Sequence, residues 1–156
     1  FNGAVDYTVA EHSIAVSRIL SEMWDRPDLA LQGLLHDAAE AVIGDIVSPL
    51  KAMLPEIKGI EDGIWKAIAT RFGLPPELDP LVIRVDQELA AVEGHHFFNS
   101  VTPIESKWWQ STTFGPDHLL AHLSGVNLRQ DYSDAHEVSI AFREWYRDLT
   151  RNTCDA

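Results

Sequence analysis

The sequence predicts an all-α fold. Apolar residues recur at intervals of three and four along most of the 156 residues, no sustained alternation of period two appears, and helix-stopping signals fall at helix-length spacings. The first helix opens at "TVAE", where Thr8 and Glu11 make a capping-box pattern, and runs to about Trp24 ahead of "DRPD". A second starts near Pro27, a residue suited to a first turn, and stops at Gly44, a good C-terminal cap. "SPLKAMLPE" reads as a turn with a short helical piece, and a third long helix covers about Ile57 to Phe72, ending at Gly73. The loop "LPPELDP" leads to a fourth helix from Leu81 to about Glu93. Residues 99–116 carry Pro, Gly, Ser and Thr and read as an irregular loop. "DHLLAHL" is a short helix, and "SDAHEVSIAFREWYRDLTR" a long amphipathic closing one.

The length suits one domain with one proper core. Hydrophobic residues make up 46% and charged residues 23%, so neither wholesale disorder nor a membrane protein is expected. The single cysteine, Cys154, cannot close an internal disulfide, which points to a reducing cytosol. A formal charge of −12 with no basic run argues against a nucleic-acid polymer as partner. An anionic ligand has to be small and locally neutralised.

The chemistry concentrates in "LLHDAAEAVIGD", Leu34 to Asp45, where a histidine and three carboxylates interrupt an apolar stretch. An unpaired charge there is costly, and a shared cation removes the cost. His36 and Asp37 lie about 100° apart around the axis and can lean toward one ion, with Glu40 on the same face. His12 falls on the stripe of Ala15, Val16, Ile19 and Met23, and Asp86 stands in "LVIRVDQELAAVE". Taken singly, His12 also reads as a satisfied core histidine, and Asp86 as a partner for Arg84. Together, two imidazoles and two carboxylates suit Zn, Mn, Fe, Co or Ni better than Ca. With a divalent ion the four side chains sum to zero charge. Such an ion polarises a phosphorus centre and lowers the pKa of its water, and Glu40, close but outside the ligand set, could carry the proton.

The order of these residues, His12, then "HD" with Glu40 three places after Asp37, then Asp86 in "VDQELAAVE", resembles the HD-domain metal-dependent phosphohydrolases. More narrowly, "YTVAEHSIAVS", "GLLHDAAEAVIGDIVSPLK" and "VDQELAAVE" look like the small 5′-deoxynucleotidase branch and its phage relatives, which include dATP triphosphohydrolases. The resemblance spans roughly Phe1 to Glu93. It implies an all-α HD-domain bundle in which His12, His36, Asp37 and Asp86 bind one divalent transition metal such as Zn, Co or Mn. It further implies Glu40 as catalytic acid or base and Asp45 as the contact to the deoxyribose, and it tilts Lys51 toward a phosphate-binding role. The implied substrate is a deoxynucleoside monophosphate, with a triphosphate, needing an additional Mg or extra basic residues from a neighbouring subunit, as the second reading. A silent nucleotide-binding module is the third. Relatives are commonly oligomers of bacterial or phage-infected cytoplasm, so a homo-oligomer is expected. Dinuclear members need further histidines between the HD pair and the last Asp; none occurs from Ala38 to Val85, which favours one metal.

Two departures bear on the substrate pocket. Val47 stands where many relatives carry proline, and the helix that supplies an arginine and an aromatic against the base would lie before Phe1. Of the other candidates, Glu93 reads either as a group orienting a ligand histidine or as an ordinary helix carboxylate, and Trp108 and Trp109 as loop anchors. His118, His122 and His136 read as surface or subunit-contact residues.

Overall fold

A computed structural model describes residues 7–44, 46, 51, 53–98 and 134–151, and every described segment of regular structure is helical. Helix α1, Val9–Arg18, begins as its capping box dictates: the Glu11 N–H donates to Thr8 Oγ1 at 3.2 Å and the Thr8 N–H to Glu11 Oε2 at 2.7 Å. Its last turns widen into a π-helical stretch, Ile19–Met23. A 3₁₀ turn at Pro27–Leu29 then leads into α2, Ala30–Leu35, and a short α3, Glu40–Ile43, follows. Helix α4, Pro55–Phe72, has proline in its first turn and ends at Gly73, whose φ of 68° is the left-handed cap glycine adopts readily. Helix α5, Pro80–Phe98, is capped by Asp79, whose Oδ1 accepts from the Leu81 N–H at 2.8 Å. Helix α6, Ala135–Arg151, closes the chain, with Asp134 Oδ1 accepting from the His136 and Glu137 N–H groups.

Two expectations are corrected. The single helix from Pro27 to Gly44 is three pieces, because the chain tightens between α2 and α3. The Ala38 N–H bonds the Leu35 carbonyl and the Glu40 N–H the Asp37 carbonyl, three residues back rather than four. The carbonyl oxygen that a regular helix would offer to the Asp37 N–H, that of Gly33, lies 2.7 Å from His36 Nδ1. The imidazole competes for the ladder acceptor, and the turn tightens around it. The fourth helix, in turn, runs five residues past Glu93 to Phe98 and takes in His95 and His96. Residues 99–133, including Trp108, Trp109, His118 and His122, lie outside the described residues, as do Asp45, Val47 and Cys154.

Helices α1 and α2 form the centre. Val16, Ile19 and Leu20 pack on Val82, Val85, Leu89 and Val92 of α5; Ile14 and Leu34 pack on Val138 of α6; Leu35 packs on Trp65 and Ala69 of α4. The α1–α2 crossing is close. Ser17 Oγ donates to the Ala30 carbonyl at 2.6 Å and accepts from Trp145 Nε1 at 2.8 Å. A Cβ on Gly33 would stand 2.5 Å from Leu20 Cδ1 and 3.3 Å from Ser17 Cα. Gln32, fully buried, ties the loop ahead of α5 to α2: its Nε2 donates to the Glu77 carbonyl and its Oε1 accepts from the Asp79 N–H.

Gly33→Ala therefore has to displace the buried Leu20 side chain and ease the Ser17 backbone away by a few tenths of an ångström. Urea unfolding should show a loss of about 1–3 kcal/mol, the usual cost of overfilling a packed contact; an unchanged midpoint would contradict the crossing described.

Candidate metal centre

Three helical segments bring four side chains to one point. Helix α1 supplies His12, the tight turn after α2 supplies His36 and Asp37, and α5 supplies Asp86; one ligand atom from each lies within 4.8 Å of all the others. His12 Nε2 is 3.1 Å from Asp86 Oδ1 and 4.0 Å from Asp37 Oδ2, while His36 Nε2 is 3.2 Å from Asp37 Oδ2 and 3.6 Å from Asp86 Oδ1. Both imidazoles are buried and their ring centroids are 5.4 Å apart. Asp86 turns to the histidines rather than to Arg84, which pairs with Glu88 at 3.0 Å and lies over the Trp24 ring.

Each imidazole spends its other nitrogen on an orienting partner. His36 Nδ1 donates to the Gly33 carbonyl, so its Nε2 faces the cluster. That Nε2 is buried and, although near Asp37, lacks the alignment of a hydrogen bond. Such an orphaned donor atom is what a bound cation would satisfy, so the residues present fit a divalent ion. His12 Nδ1 lies 3.0 Å from both carboxylate oxygens of Glu93, and the Tyr7 hydroxyl donates to Glu93 Oε1. Of the two readings of Glu93, the structure has the one in which it faces a histidine of the cluster. Burial, with the Glu93 charge adding to it, pushes the Tyr7 hydroxyl above its ordinary range, so it stays a donor.

The protonation of the metal-free cluster follows from these contacts. Burial disfavours a charged His12, but hydrogen bonds to Asp86 and Glu93 outweigh it and push the pKa up to about 10. Burial likewise opposes charge on His36, and the Asp37 and Asp86 carboxylates raise it to about 9. Burial works to raise Asp86, yet the two imidazoles hold it well below the usual carboxylate range.

A cavity of about 500 Å³ opens beside the cluster, with His36, Asp37 and Glu40 on one wall and residues of α4 on the other. Lys51 reaches into it, its Nζ 3.4 Å from Glu40 Oε1 and 2.9 Å from Glu61 Oε1. Lys58 and Lys66 of α4 also line it, and among the described residues neither makes an ion pair. Sequence reasoning missed both lysines and Glu61. Their signal was only a helical spacing on α4, and nothing local tied that helix to the HD dipeptide.

A profile described as HD domain matches residues 9–141. The chain belongs to the HD-domain family. Among curated proteins, this HD domain is similar to YfdR of Escherichia coli, 36% identical over 87 residues, 56% of this chain and 46% of YfdR. It is also similar to a protein of Rhodobacter capsulatus, 38% identical over 161 aligned residues that cover 96% of this chain and 76% of that protein. Both relatives are described as uncharacterized, and the chain spans just under half the length of YfdR. No solved structure matches it. Among the described residues no helix is long and apolar enough to cross a membrane.

Because ligation needs both Nε2 atoms free of protons, a divalent ion binding near pH 7.5 should displace about two protons, one from each imidazole. Above pH 10 the number should fall toward zero. Calorimetric titration with Zn²⁺ in buffers of different ionisation enthalpy reads this count; proton uptake, or none released at pH 7.5, would refute the assignment.

Proposed function

We propose that this HD domain hydrolyses the 5′ phosphoester of deoxynucleotides, with deoxynucleoside monophosphates as substrates. The observation that supports this most is the convergence of His12, His36, Asp37 and Asp86 beside a cavity whose wall carries Glu40. A divalent ion held by those four residues would polarise the phosphate and lower the pKa of water there.

The chain's own groups account for the remaining needs. Glu40, next to His36 and Asp37 on the cavity wall, takes the proton of the attacking water as a general base. As the P–O5′ bond breaks, it returns that proton to the leaving oxygen, giving a nucleoside and orthophosphate. Lys51 holds Glu40 from the solvent side and offsets phosphate charge as a point cation. Asp45 carries the deoxyribose contact that the resemblance implies.

One observation favours the triphosphate reading as well. In place of basic residues from a neighbouring subunit, this chain offers Lys58 and Lys66, which line the same cavity as Lys51 alongside Glu61, Asp62 and Glu77. Cleavage at the α-phosphorus then releases the nucleoside and inorganic triphosphate.

Incubating metal-loaded protein with deoxy- and ribonucleoside mono- and triphosphates, and resolving the products by chromatography, separates the readings. Orthophosphate from monophosphates supports the first, inorganic triphosphate the second, and no turnover leaves a binding module. Glu40→Ala should lower turnover by about a hundred- to ten-thousand-fold with metal content unchanged; full activity in that variant would remove Glu40 from the mechanism.

A further inference from the structure

The two imidazoles of the cluster are supported unequally. His36 leans on a backbone carbonyl, a neutral acceptor that any residue at position 33 would offer. His12 leans on a full carboxylate, with both Glu93 oxygens at 3.0 Å from Nδ1, and that carboxylate has only 11% of its side chain exposed. Burying a carboxylate is costly unless something needs it. Its second partner, the Tyr7 hydroxyl, comes from the residue before the α1 cap, 86 positions away in sequence. Glu93 thus meets His12 Nδ1 directly, and Tyr7 meets Glu93.

We infer that Tyr7 and Glu93 form a positioning pair that fixes the Nδ1–H tautomer of His12, aims its Nε2 at the cation and strengthens it as a donor. The inference rests on the metal reading of the cluster. An imidazole whose N–H is shared with a carboxylate gains electron density at its other nitrogen, whereas one on an amide carbonyl gains less. His12 is then the stronger of the two nitrogen donors. Tyr7 stops Glu93 from swinging away by occupying the oxygen that would otherwise take a water. Glu93 stands outside the four-residue cluster, so its effect would reach the reaction through His12.

The test compares wild type, Glu93→Gln and Tyr7→Phe, each checked for folding by its unfolding midpoint without metal. Affinity for Co²⁺ is measured by competition with a chromophoric chelator, and the exchangeable, hyperfine-shifted imidazole N–H signals of the Co²⁺-loaded proteins are recorded by NMR. Glu93→Gln keeps the shape and an acceptor but loses the charge, so Co²⁺ should bind about 10- to 100-fold more weakly and one imidazole N–H signal should shift and exchange faster. Tyr7→Phe should move the same signal with a smaller loss of affinity. A merely structural pair would lower the midpoint and leave that signal in place. If wild type takes up one equivalent of Co²⁺ and both variants bind it as tightly, the positioning pair is refuted while the metal site stands. If wild type itself takes up none, both readings fall. Should Glu93→Gln fail to fold, Tyr7→Phe decides: an unmoved signal and unchanged affinity overturn the inference.

Discussion

The close crossing of α1 over α2 is the constraint on which the site depends. A Cβ at position 33 would press on the Leu20 side chain and the Ser17 backbone, so glycine there lets the two helices pack closely. The contact is then locked from both sides, by the Ser17 hydroxyl on the Ala30 carbonyl and by the Trp145 indole of α6 on Ser17. His12 lies five residues before Ser17 and His36 three after Gly33, so the crossing itself sets the two imidazoles within reach of one ion. Gln32, between Leu31 and Gly33, carries the constraint to α5. By holding the Glu77 carbonyl and the Asp79 N–H it fixes where α5 begins, and hence the height at which Asp86 meets the histidines.

The cluster gathers Asp37, Asp86 and Glu93 around two imidazoles in a setting where bare charge is expensive. Two arrangements relieve it. Protons on both histidines do so without metal, which is why both are held above their ordinary range. A divalent cation does so with the imidazoles neutral. Each Nε2 already faces the carboxylates without metal, so the atoms that a cation would need converge beforehand.

Much of this was legible in the sequence where local rules act. The Thr8–Glu11 box, the stop at Gly73 and the apolar stripe through His12 each depend on residues a few positions apart, whereas the grouping of His12, His36, Asp37 and Asp86 was legible through the family resemblance that their order carries. The tightened turn at 36–39 was not legible, because it arises from a side chain taking the Gly33 carbonyl, and helical periodicity is nearly blind to a change from four-residue to three-residue bonds. Nor were the Gln32 tie, the Tyr7–Glu93 contact and the lysines of α4. The first two join segments 45 to 86 residues apart, the lysines lie 21 to 30 residues beyond the HD pair, and no local pattern encodes which partners meet.

The broken second helix also divides rigidity from freedom. The four clustered residues sit on, or directly against, the buried faces of α1, α2 and α5, where packing fixes them. Glu40 instead opens α3, a single turn with no buried residue, and one of its partners is Lys51, itself shared with Glu61. A continuous helix through Gly44 would have tied Glu40 to the same rigid frame as His36. A group proposed to accept a proton at one oxygen and deliver it at another gains from such latitude, and Lys51, which also pairs with Glu61, allows it. The tight turn thus places the four clustered residues on packed elements and Glu40, proposed above as the proton carrier, on a short turn beside them.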